Sequence, residues 1–123
     1  MKIKHFGIVA RDPQALKQFY SDLLETPPSF VSETSEYCEF DVDGNAKLDI
    51  EPVDVLAIEI GQESASEKRP LIRVETDDVA AVFEKATAKK MNVLAKPKEK
   101  SWREKSFNLL DPENNLIEIF QKL

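Results

Sequence analysis

The stretch IKHFGIVARDP, residues 3 to 13, carries the single histidine of the chain inside an apolar run that ends in Asp-Pro. Branched residues in KIKHFGIVA favour an extended strand, and Asp12-Pro13 then supplies an N-cap and a proline suited to a first helical turn. Ala15, Leu16, Phe19, Tyr20, Leu23 and Leu24 follow at helical spacing, and Pro27-Pro28 stops the helix. SFVSET, EYCEFDV and NAKLDIE then read as strands, the last two joined by a tight turn at Asp43-Gly44-Asn45. PVDVLAIEI fits a short helix or an extended return, and GQESASEKRP reads as a linker.

The same order then restarts. PLIRVET is a strand, Asp77-Asp78 a cap, and Val79, Val82, Phe83 and Ala86 a helical stripe. NVLAKP, WREKSFNLL and NLIEIFQ follow as strands, with a turn at Asp111-Pro112-Glu113-Asn114. KATAKK and KPKEK read as solvated helix and loop surface. The expected architecture is α+β: one domain over residues 1–123, built from two βαβββ modules at about 1–60 and about 69–123. Matching the caps Asp12 and Asp78 gives an offset of 66, which sets Leu71 against His5. Matching LDIE to LIE gives 67 and sets Glu51 against Glu118.

Three of those four related positions hold metal-ligand residues. On a strand, alternate residues share a face, so His5, Glu51 and Glu118 emerge among apolar neighbours. One imidazole and two carboxylates suit a divalent Ni, Mn, Fe, Co or Zn ion. A strand histidine also serves as a buried residue with both nitrogens satisfied, and spacing alone does not choose between these readings.

A chain of 123 residues with a formal charge of −6 buries one substantial core and repels phosphate backbones, so nucleic acid is not an expected partner. Cys38 is the only cysteine, which excludes an internal disulfide. The N-terminus lacks the pattern of an export signal, and no apolar run suffices to cross a bilayer. A cytoplasmic location away from membranes is expected. Three glycines, none in a phosphate-cradling loop, argue against a nucleotide site of the usual kind.

HFGIVARDPxxLxxFYxxLL at residues 5–24 and DPENNLIEI at residues 111–119 resemble the opening and closing motifs of the vicinal oxygen chelate superfamily. That superfamily includes glyoxalase I, extradiol dioxygenases, and fosfomycin- and bleomycin-resistance proteins. The resemblance implies half-barrel sheets with helices on their outer faces, a homodimer, and a small-molecule site enclosed by two half-barrels. It also implies metal ligands at His5, Glu51 and Glu118, with Leu71 at a fourth position where leucine offers no donor. Val9 stands where glyoxalase I members place an arginine for glutathione, which argues against lactoylglutathione as substrate.

KLDIEPVDVLA at residues 47–57 and SWREKSFNLLDP at residues 101–112 are similar to the bleomycin-resistance branch, whose metal-free members sequester a cationic drug. Trp102, Phe107, Phe120, Tyr37 and Phe40 would then offer flat surface to a ligand, with Arg103 standing where many relatives have glycine. Two functions follow from the resemblance. One is a metal-dependent lyase, isomerase or oxygenase acting on vicinal oxygens, with Glu118 or Glu51 as general base. The other is a binding protein that holds a small aromatic or cationic compound.

Overall fold

The computed structural model describes residues 4–43, 46–52 and 71–123. Its contacts divide the chain into unit 1, Met1–Lys68, and unit 2, Arg69–Leu123. All of PVDVLAIEI but Pro52, the segment GQESASEKRP, and the turn residues Gly44-Asn45 lie outside the described residues.

Unit 1 begins with strand β1 (His5–Ala10) and helix α1 (Pro13–Leu24). The Asp12 side chain accepts a hydrogen bond from the Ala15 N–H and Pro13 opens the first turn, as the sequence predicts. Glu25 then takes a left-handed conformation that ends the helix ahead of the proline pair. Strands β2 (Phe30–Val31), β3 (Cys38–Asp43) and β4 (Ala46–Pro52) complete a sheet of order β1-β4-β3-β2, with β1 parallel to β4. Ile8, Ala10, Cys38, Phe40, Leu48 and Ile50 form one face of that sheet and are buried with Leu16, Phe19 and Tyr20 of α1. Tyr20 packs its ring 6.5 Å from that of Phe40.

Unit 2 repeats the plan with β5 (Leu71–Glu75), α2 (Val79–Ala88), β6 (Asn92–Val93), β7 (Lys98–Lys100), β8 (Glu104–Leu110) and β9 (Leu116–Lys122). Asp78 caps α2 through the Ala81 N–H, and the Gln121 side chain accepts from the Val79 N–H. The sheet order is β5-β9-β8-β6, with β7 also paired to β8. Strand β7 corrects the reading of KPKEK as loop: Lys98, Glu99 and Lys100 pair with Ser106, Lys105 and Glu104. Its charged side chains hid the strand, because β7 lies at a solvated edge where no apolar alternation is required.

In both units the helix covers one sheet face and leaves the other for polar side chains. A bulge in unit 1 decides which residues share that open face. Asp43 pairs with Ala46 but Asp41 pairs with Lys47, so one extra residue, Val42, enters β3. Counting back from the turn without the bulge would set Glu39 opposite Ile50, on the core face. The bulge instead sets Glu39 opposite Asp49.

Candidate functional site

The open face of unit 1 carries His5, Gly7 and Val9 from β1, Lys47, Asp49 and Glu51 from β4, and Glu39 and Asp41 from β3, since paired residues share a face. Four carboxylates against one lysine make this face attractive to cations. His5 Nδ1 lies 2.7 Å from Asp49 Oδ2. With the ring neutral, Nδ1–H donates to the carboxylate and Nε2 keeps its lone pair. Glu39 joins them: donor atoms of His5, Glu39 and Asp49 all lie within 4.8 Å of one another.

Asp49 is the most telling member. The residue is 6% exposed, and its Oδ1 is buried with no hydrogen-bond partner among the described residues. A buried carboxylate oxygen without a partner costs on the order of 1–3 kcal/mol or more, and a cation removes that cost. Glu39 is held from two sides, because the Tyr37 hydroxyl donates to its Oε2 at 2.6 Å and Lys47 Nζ stands 3.9 Å from its Oε1. Burial, and then the hydrogen bond to Glu39, push the Tyr37 phenol well above its ordinary range, so Tyr37 stays a donor. Lys47 Nζ lies closer to Asp41, at 2.5 Å, and that bond raises the lysine pKa. His, Asp and Glu together form a donor set that fits a first-row divalent ion.

The open face of unit 2 is arranged differently. Arg73 donates from Nε to Glu118 Oε1 at 2.8 Å and from Nη2 to Glu104 Oε2 at 2.6 Å, while its guanidinium lies 4.0 Å from the centre of the Phe120 ring. The Trp102 indole N–H donates to the same Glu104 oxygen at 3.0 Å.

The structure therefore sorts the residues predicted from sequence. His5 lies in the cluster within unit 1. Glu51 shares its face but pairs with Val9, four residues along β4 from the partner of His5, roughly 13 Å of strand at about 3.3 Å per residue. Glu118 belongs to unit 2, where Arg73 engages it. Phe120 underlies Arg73, and Trp102 is 62% exposed. Tyr37 orients Glu39, with its ring 6.0 Å from that of Phe30. Phe107 is a core residue, 2% exposed and packed edge-on against Phe83 of α2, and Phe40 is likewise buried beneath α1. Arg103 occupies a left-handed turn, φ 63°, which is the physical reason a glycine would suit that position.

Strand pairing also revises the internal equivalence. Gly7 pairs with Asp49 and Arg73 with Glu118, so Asp49, not Glu51, is the counterpart of Glu118. The counterpart of Glu51 is Phe120.

A family model described as a glyoxalase-like domain matches residues 3–123. The chain belongs to that family. Over 129 residues it is 27% identical to an uncharacterized protein, YraH, of Bacillus subtilis (strain 168), covering 100% of both chains. Among solved structures, a glyoxalase-related enzyme from Fulvimarina pelagi matches with a TM-score of 0.84 at 16% identity, over 98% of this chain and 88% of that one. A glyoxalase/bleomycin resistance/dioxygenase family enzyme from Burkholderia phytofirmans PsJN matches at 0.78 and 20% identity, over 100% of each chain. Likeness at such identities shows the fold: this glyoxalase-like chain has the glyoxalase/bleomycin resistance/dioxygenase architecture of two βαβββ modules, the outer strand of the second being split into β6 and β7, which pair with successive stretches of β8. Within that frame, sequence reasoning missed Asp49 and Glu39. The K-L-D-I-E run places two acids on one face, so alternation cannot rank Asp49 above Glu51. Glu39 came into view only through the bulge at Val42.

Proposed function

We propose that this glyoxalase-like protein binds a divalent cation through His5, Asp49 and Glu39 and uses it to hold a small molecule with adjacent oxygen atoms. The observation that carries the reading is the buried, unpartnered Asp49 Oδ1 beside an imidazole and a second carboxylate. A bound divalent ion would supply Lewis-acid polarisation of such oxygens and stabilise negative charge developing on them. The chain's own residues do the rest. Tyr37 and Lys47 fix Glu39. In this reading Glu51, two residues beyond Asp49 on the same face, is the general base that takes a proton from the held molecule. Glu118 is engaged by Arg73 and plays no part in it. The functional assembly is a homodimer, as the superfamily resemblance implies.

Calorimetric titration of metal-stripped protein with Mn, Co, Ni and Zn tests the proposal. Wild type should take up one ion per chain, and His5→Ala or Asp49→Asn should weaken binding by roughly tenfold to a hundredfold. A second reading, a metal-free protein that sequesters a planar compound, is supported by the exposed Trp102. It replaces the first if no ion binds and planar cations or aromatic acids saturably change Trp102 emission.

A further inference from the structure

Among the described residues Trp102 is the most exposed of the large apolar side chains, at 62%, yet it is held in place. It stands in the turn between β7 and β8, whose backbone is bonded on both sides. The Arg103 N–H donates to the Lys100 carbonyl at 3.1 Å, and the Leu123 N–H donates to the Arg103 carbonyl at 3.0 Å. The ring is bonded as well, because its N–H donates to Glu104 Oε2 at 3.0 Å, the same oxygen that Arg73 Nη2 reaches at 2.6 Å. Arg73 is itself fixed by Glu118 and by the Phe120 ring beneath it. Ordering a large side chain costs conformational entropy, and folding gains little from an indole left in water. That cost is offset when a ligand meets the ring already in position.

The charges around the ring select the ligand. Glu104, the acid bonded to the indole, is already neutralised by Arg73. Strand β7 and the turn add Lys98, Lys100 and Arg103, none of them paired with an acid among the described residues. Lys98 and Lys100 stand opposite Ser106 and Glu104 in the ladder and so share the face that carries Glu104. A chain with a formal charge of −6 thus gathers unpaired cations about its single tryptophan, which attracts a flat anion and repels a flat cation. We infer that the β7–β8 hairpin binds a planar organic anion, such as an aromatic carboxylate. Trp102 is its stacking face, Lys98, Lys100 and Arg103 are its counter-charges, and Glu104, held by Arg73, is the residue that positions the indole. For its ligand the inference rests on the metal-free reading, which it narrows to aromatic acids. The positioning of Trp102 rests on the hydrogen bonds alone, and neither part depends on an ion in unit 1.

Time-resolved fluorescence anisotropy of the sole tryptophan reads the positioning. The wild-type indole should turn only with the whole protein despite its exposure, and large sub-nanosecond motion there overturns the inference before any variant is made. Glu104→Ala and Arg73→Met, checked for folding by circular dichroism, should each free the ring. Glu104→Gln keeps an acceptor oxygen and should hold it. A ring as ordered in folded Glu104→Ala as in wild type, or as loose in Glu104→Gln as in Glu104→Ala, refutes the role of Glu104. Calorimetric titration with 2-naphthoate and 2-naphthylmethylammonium, one ring system with opposite charges, reads the ligand, counting only the affinity that Trp102→Ala removes. Naphthoate should bind roughly threefold to tenfold more tightly, and Lys100→Gln/Arg103→Gln should erase most of that preference. Glu104→Ala should bind naphthoate roughly threefold to tenfold more weakly than Glu104→Gln, which carries the same charge. Equal affinities for the two probes, or a preference for the ammonium, overturn the anion assignment while leaving the planar-ligand reading in place. Absence of Trp102-dependent binding by either probe refutes both.

Discussion

At Arg103 the backbone tells more than the side chain does. Its φ of 63° lies where a Cβ is crowded, and that conformation costs a non-glycine residue roughly 1 kcal/mol. Arg103→Gly should therefore raise stability by about 0.5–1 kcal/mol, seen as a higher urea midpoint with unchanged slope. A lower midpoint would show that the Arg103 side chain contributes more than the strain removes. Cys38 offers a second residue-scale test, because burial pushes its thiol from near 9 up to about 11. Between those values the unfolded chain has lost this proton and the folded chain keeps it. Stability contributed by the buried thiol is thus intact below about pH 9 and lost as pH rises through about 11. Denaturation midpoints from pH 8 to 11 should fall more steeply for wild type than for Cys38→Ala, and parallel curves would contradict the shift. His5 was legible in the sequence because it is the only histidine and stands on a strand. Asp49 was not, because Asp49 and Glu51 differ by a full two-residue period and hydrophobic alternation is blind to such a step.

Among the elements, caps and turns were the most readable features, since their chemistry is local. Asp12 and Asp78 cap their helices as their positions before apolar stripes predict. Asp111 does comparable work in the β8–β9 turn. It is buried, its Oδ1 accepts from the Glu113 and Asn115 N–H groups, and its Oδ2 accepts from the Asn115 side chain. Asp111→Ala would leave those donors without their acceptor and should cost about 3 kcal/mol. Thermal denaturation would register this as a lowered midpoint, and a change within error would mean that the turn is held by its backbone bonds alone. What the sequence concealed at this scale were departures from regularity. The extra residue at Val42 rotates Glu39 onto the open face, and the charged edge strand β7 has no apolar pattern to announce it. SFVSET, read as a full strand, forms a ladder only over Phe30–Val31.

For the molecule as a whole, the repeat was visible because two cap-and-stripe signals recur at a fixed spacing, whereas the register between the repeats was not. Matching LDIE with LIE slipped the comparison by two residues, which preserves every inward and outward assignment and so leaves no trace in the pattern. Among the described residues each sheet also ends in open edges at β1 and β2 or at β5 and β6, and exposed edges favour association. With the homodimer proposed above, sedimentation at micromolar concentration should give twice the 14.0 kDa chain mass. A single species at 14.0 kDa with no concentration dependence would remove the dimer. The Gly7/Arg73 pair has a genetic consequence as well. Glycine codons GGN and arginine codons CGN differ in one base, so the difference in charge between these two matching positions of the repeat lies one nucleotide change away.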